Sequence, residues 1–173
     1  MNNKLLIVVD MQNDFTFGAL KNDDAVSVIP KIKSKLNSFN GDVIFTRDTH
    51  TNEYMNTQEG RKLPVPHCIK GENGYEIVDE LKDIQQKNNY PVYDKPTFGC
   101  MKLAEDIAAK NCYDEIELVG VCTDICVISN AMLIKAAVPE VTVKVDSSCC
   151  AGVTKESHDI ALKAMAGCQI EVY

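Results

Sequence analysis

The chain has 173 residues, 45% hydrophobic and 25% charged, with 18 basic against 25 acidic side chains and a formal charge of −7. This composition excludes intrinsic disorder, and the length suits one domain with a sizeable core. The basic residues are scattered among acids rather than gathered in a patch, which argues against a nucleic-acid partner.

The elements alternate along the chain. Lys4–Asp10 is an apolar run rich in Val and Ile, the pattern of a strand buried on both faces. Asp24–Phe39 has helical spacing at Val28, Ile32 and Leu36, and Pro30 suits a first helical turn. Asp42–Arg47 predicts a second strand, and Asp48–Asn73 is a long polar stretch with Pro64 and Pro66 near its end. Loops of that length inside a compact domain are usually functional or disordered, and its two prolines, two histidines and several acids favour function. Gly74–Lys87 returns to helical spacing, Tyr90–Asp94 is a short strand, and Cys100–Lys110 is a helix with Leu103, Ile107 and Ala108 on one face. Ile116–Val121 predicts a strand, Thr123–Ala137 a nearly all-apolar buried helix, Val141–Asp146 a strand, Thr154–Ala166 a helix and Gln169–Tyr173 a last strand. This order predicts a doubly wound α/β fold of about six parallel strands with helices on both faces.

The apolar run Leu5–Val9 ends at Asp10, too short for a signal-peptide core or a membrane span. A cytoplasmic location follows as an expectation, with no membrane association. The eight cysteines then read as reduced thiols, mostly buried small hydrophobes, in no zinc-finger spacing.

In open parallel sheets ligands bind outside the carboxyl ends of the strands. The sequence delivers Asp10 there from the first strand, Arg47–His50 from the second, Asp94 and Lys95 from the third, Gly120–Cys126 from the fourth and Asp146 from the fifth. A carboxylate, a lysine and a cysteine together suit an activated thiol. The carboxylate takes its proton, the ammonium favours the thiolate, and a helix N-terminus near Cys126 lowers the thiol pKa. Taken singly, each has a plainer reading: core packing for the cysteine, a buried strand end for the aspartate, solvated surface for the lysine. A second cluster looks metal-binding. Asp48 and His50 are two apart and point the same way in extended chain, and His67 follows on a proline-stiffened approach. One carboxylate and two imidazoles suit zinc, iron or manganese with open positions, and Glu59 is a candidate fourth ligand or outer partner. His158, in a polar helical stretch, reads as surface.

At these residues the chain resembles the isochorismatase-like cysteine hydrolases, and within them the nicotinamidase branch. Val8-Val9-Asp10-Met11-Gln12-Asn13-Asp14-Phe15 is similar to the family's opening motif, Asp94-Lys95 to its lysine position, and Gly120-Val121-Cys122-Thr123-Asp124-Ile125-Cys126-Val127 to its nucleophile motif. The resemblance implies Asp10 as catalytic base, Lys95 as catalytic lysine and Cys126 as nucleophile. It also implies a non-proline cis peptide before Cys122, an oxyanion hole from the backbone N–H groups of Cys122 and Cys126, and Asp48, His50 and His67 as ligands of one divalent metal, zinc first among candidates. Phe15 and Phe98 are candidate walls for a flat ring. The chain departs from the family at Cys122, where a small residue is usual and a second thiol raises a disulfide with Cys126. It departs again in Lys95-Pro96-Thr97-Phe98-Gly99-Cys100, where nicotinamidases carry a Ser-Ala-Phe-like stretch.

The expected activity is hydrolysis of a small amide, nicotinamide to nicotinate and ammonia, through a Cys thioester. The alternative within the family is a different small amide or ureido substrate. Outside it stand a receiver-like module with Asp10 as phosphate or metal acceptor and a redox protein built on Cys122 and Cys126. A small-molecule amide is the expected partner. The apolar Val127–Val138 stretch serves either a core or an interface, so a homo-oligomer stays open.

Overall fold

The computed structural model describes residues 3–173. Six strands form one sheet: β1 (Lys4–Val9), β2 (Asp42–Asp48), β3 (Val92–Lys95), β4 (Glu115–Val121), β5 (Thr142–Ala151) and β6 (Glu171–Val172). Their spatial order is β3-β2-β1-β4-β5-β6 and every pairing is parallel. The described residues form seven α-helices: α1 (Asn13–Thr16), α2 (Asp23–Ser38), α3 (Gln58–Lys62), α4 (Asp79–Lys87), α5 (Met101–Lys110), α6 (Ile128–Ala137) and α7 (Lys155–Gly167). Parallel strands require crossovers, and helices carry them on both faces.

β1 divides the interior by strand alternation. Leu5, Ile7 and Val9 face the layer built by α5, α6 and α7, while Leu6 and Val8 face the layer of α2 and α4. All five are fully buried, as a central strand covered on both faces requires. The strand order reverses between β1 and β4, which opens a crevice at their carboxyl ends. Among the described residues no helix is long and apolar enough to cross a membrane.

Several predicted boundaries move. Pro30 lies in the interior of α2 rather than its first turn; Asn22 caps that helix by accepting from the N–H groups of Asp24 and Ala25. The helix predicted from Gly74 starts only at Asp79. Glu76 accepts from Asn13 N–H and Val78 donates to Met11 O, so pairing with the chain after β1 overrides helical spacing there. The long loop contains a 3-10 turn at Tyr54–Asn56 and the short α3. β5 runs on past Asp146 to Ala151, resuming its pairing with β4 across an irregularity at Leu118–Gly120. Asp146 is therefore not a strand-end group: it pairs with Lys35 of α2 at 2.7 Å, away from the crevice. All eight cysteines are free thiols.

Candidate active site

Three strand ends place the reactive groups. Asp10 follows β1 in a left-handed conformation (φ 49°), Lys95 closes β3, and Cys122 begins the chain after β4 through a cis Val121–Cys122 peptide. Gly120 lets β4 pass close to β1. It has a φ of +119°, and a Cβ there would lie 2.1 Å from Val9 O, so no other residue fits without displacing backbone. Cys126 sits in a π-helical turn, Thr123–Val127, that leads into α6, not in the first turn of a regular α-helix as the sequence suggests.

The three groups converge. Lys95 Nζ lies 2.6 Å from Asp10 Oδ2 and 3.5 Å from Cys126 Sγ. It also lies 3.3 Å from Asp48 Oδ1 and donates to Thr97 O at 3.2 Å. Lys95 and Asp10 are completely buried. Their contact is an ion pair outside hydrogen-bonding angles, whereas Asp10 Oδ1 accepts from Thr46 Oγ1 at 2.6 Å. Lys95 thus stands between the Asp10 carboxylate and the Cys126 sulfur.

Burial dominates the protonation of these groups. It raises the Asp10 pKa, and the charge of Lys95 only partly offsets it. Burial opposes the charge on Lys95, but the carboxylates of Asp10 and Asp48 outweigh it and hold the ammonium protonated. For Cys126, burial and then the negative Asp10 push the thiol well above its usual range, against the opposing pull of Lys95. The expectation that a helix N-terminus lowers the thiol pKa is thus corrected, while Lys95 does favour the thiolate as expected. The resting sulfur is a thiol near a carboxylate whose raised pKa equips it to take the proton. The Cys122 thiol, pushed up to about 12 by burial and Asp124, also stays protonated.

Beside this group Asp48, His50, Glu59 and His67 turn one ligand atom each toward a common point, all within 4.8 Å of one another. Nε2 of His50 and of His67 lie 3.0 and 3.4 Å from Asp48 Oδ2 and 3.6 and 3.7 Å from Glu59 Oε1. Nδ1 of His67 meets Val65 O at 2.8 Å, a backbone bond that fixes the ring and aims Nε2 at the acids. Two imidazole nitrogens and two carboxylates form a donor set that fits a divalent cation. Asp48 belongs to both groups, with Oδ1 toward Lys95 and Oδ2 toward the histidines. Burial opposes its ionisation, but the two histidines and Lys95 hold its pKa below the usual carboxylate range.

A cavity of about 770 Å³ opens above both groups, lined by Phe15, Phe98, Cys122 and Cys126 together with Asp48, Glu59 and His67. Phe15 is buried and meets the His67 ring edge-on at 5.9 Å, while Phe98 stands 43% exposed at the mouth. The structure therefore brings Asp10, Lys95, Cys126, Cys122, Asp48, His50, His67, Phe15 and Phe98 to one region and leaves Asp146 outside it.

His158 is different. It is buried, with Nδ1 2.8 Å from Thr123 Oγ1, because the polar face of α7 packs on the π-helical turn. Four further residues carry the geometry without a prior assignment. Thr46 holds Asp10, and Gln12 bridges Asp48 N and O to Tyr75 O. Asp14 accepts from Cys68 N–H beside His67, and Asn130 contacts the backbone of Cys126. Gln12 and Asp14 lie within the opening motif, which was the available signal. Thr46 and Asn130 carry none beyond being polar within apolar runs.

A doubly wound sheet thus carries a buried Asp-Lys-Cys group and an adjoining two-histidine, two-carboxylate cluster at its switch point. Residues 4–173 match the isochorismatase domain, and the chain belongs to the isochorismatase family. It is 31% identical over 141 residues to an isochorismatase family protein of Bacillus subtilis, covering 75% of this chain and 76% of that one. It is 27% identical to the nicotinamidase of Saccharomyces cerevisiae, over 75% of this chain and 80% of the other. Its fold superimposes on the zinc complex of Pyrococcus horikoshii pyrazinamidase with a TM-score of 0.81 at 22% identity, covering 99% and 98% of the two chains.

Proposed function

We propose that the protein is a nicotinamidase, hydrolysing nicotinamide to nicotinate and ammonia through a thioester on Cys126. The observation that carries this reading is the meeting of Asp10, Lys95 and Cys126 beside the metal-type cluster, on the floor of an aromatic-walled cavity. The names of its relatives agree with it.

Asp10 accepts the Cys126 proton as sulfur attacks the amide carbonyl. The backbone N–H groups of Cys122 and Cys126 receive the oxyanion, where each such donor is typically worth about 3–4 kcal/mol. Protonated Asp10 gives its proton to the departing nitrogen, releasing ammonia and leaving the acyl group on sulfur. Water then attacks the thioester carbonyl with Asp10 again as base, and collapse returns the thiol and the carboxylate product. Lys95 stays charged throughout and offsets the negative charge as it passes between Asp10 and sulfur. Phe15 and Phe98 hold the ring between them. Asp48, His50 and His67, with Glu59, would hold a divalent ion, zinc by preference, that supplies a Lewis-acid contact for the pyridine nitrogen.

Ammonia release from nicotinamide by the reduced, zinc-loaded protein tests the reading, with Cys126→Ala as control. Release that disappears in the variant supports it. Release that persists removes the covalent step, and activity confined to other small amides or ureido compounds moves the substrate while keeping the chemistry.

A further inference from the structure

We propose that Asn130 is a positioning residue that locks the nucleophile turn to the wall segment carrying Phe98, so that sulfur and ring-binding wall move as one body. This rests on the reading of Cys126 as the nucleophile. Asn130 sits in the apolar helix α6 and is 1% exposed. An asparagine inside a helix is neutral to unfavourable unless its amide has specific partners. Here Nδ2 donates to Cys126 O at 2.8 Å and to Phe98 O at 3.2 Å, while Oδ1 accepts from Cys100 N–H at 2.9 Å. All three partners are backbone atoms, one on the nucleophile and two on the segment after β3.

That segment is held from its other side by the reactive group, since Lys95 Nζ donates to Thr97 O. A chain of contacts thus runs from Cys126 through Asn130 and residues 97–100 back to Lys95, which closes on Cys126 Sγ at 3.5 Å. Gly99 packs that segment against the side chains of α6. A Cβ there would lie 2.4 Å from Leu133 Cδ1 and 3.5 Å from Ser129 Cβ, the neighbours of Asn130 on α6. The amide is distinguished from a packing residue by needing both a donor and an acceptor at one site.

The test compares Asn130→Asp and Asn130→Leu with the wild type in melting temperature, kcat, KM, and the rate at which iodoacetamide alkylates Cys126, read on the peptide. Removing the donor misplaces sulfur and loosens the Phe98 wall. kcat is expected to fall by about tenfold or more and KM to rise, the scale of one lost positioned hydrogen bond. The Asn130→Asp deficit relative to wild type should shrink at low pH, where a protonated carboxyl regains a donor, while the Asn130→Leu deficit should not. Folded variants with wild-type kcat, KM and alkylation rate overturn the proposal, as does an Asn130→Asp deficit that ignores pH. If neither variant folds, Asn130→Gln, which keeps donor and acceptor but displaces them by one carbon, decides: altered alkylation supports the proposal and unchanged alkylation overturns it. Alkylation needs no substrate, so a wild type inactive on nicotinamide would count against the nicotinamidase reading while leaving this comparison intact.

Discussion

Replacing Lys95 by methionine keeps the length and apolar stem of the side chain and removes its charge. The structure sets the consequence. Lys95 Nζ is the cation beside both Asp10, at 2.6 Å, and Asp48, at 3.3 Å, in a fully buried site. Removing one partner of a buried ion pair typically costs about 3–5 kcal/mol, a large part of a total stability of roughly 5–15 kcal/mol. The loss should depend on pH. Burial already raises Asp10, and without Lys95 only the Thr46 hydrogen bond opposes it, so the folded variant keeps a proton that the unfolded chain has released. The native state then binds more protons, and stability falls as pH rises above the ordinary carboxylate range. The deficit should grow by about 1.4 kcal/mol for each unit by which the native pKa moves into the window studied. Urea unfolding of wild type and Lys95→Met at pH 5 and pH 8 measures it. A deficit under about 1 kcal/mol, or one equal at both pH values, would refute the electrostatic account of this centre.

Other outcomes follow from the same structure. Zinc should raise the melting temperature, with stabilisation of about 2.7 kcal/mol at a hundredfold excess over Kd, and the rise should vanish in His67→Ala; a zinc-induced rise retained in that variant would mean the ion sits elsewhere. Chelation should raise KM for nicotinamide more than it lowers kcat, and the opposite split in steady-state kinetics would move the ion's role from binding to chemistry. His158 is held neutral by burial and by the positive charge of Lys155, so its pKa is lowered. The unfolded chain therefore takes up the proton first. Stability should decline as pH falls below about 6.5, the ordinary histidine value, and His158→Gln should flatten that slope in urea unfolding between pH 7.5 and 5. Gly120→Ala should destabilise by about 2 kcal/mol or more, because its Cβ would meet Val9 backbone at a positive φ; a melting temperature equal to wild type would show that the strands can part there.

The fold was readable because one signal dominates it. A strand buried on both faces, such as Leu5–Val9, cannot alternate, and the run between helical periods declares itself. The strand-end rule then gathered Asp10, Lys95 and Cys126 without their distances. Failures fell where tertiary contacts decide. Residues 76–78 are drawn extended by Asn13 and Met11, so the apparent helix starts late. His158 lies among charged neighbours in sequence, yet its ring meets Thr123 across the fold. A helix N-terminus was expected to lower the Cys126 thiol pKa, but burial, which sequence does not show, raises it. Asn130 gave no sign, since its partners are backbone atoms from 4 to 32 positions away.

The central claim is an acyl group carried on Cys126. Zinc-loaded protein mixed with excess nicotinamide, quenched in acid within the first turnovers and digested, should yield a Cys126 peptide heavier by the pyridine carbonyl group. The adduct should be absent from Asp10→Asn and from protein alkylated beforehand. Turnover with ammonia release but no adduct at any quench time, or an adduct on Cys122 instead, would contradict it.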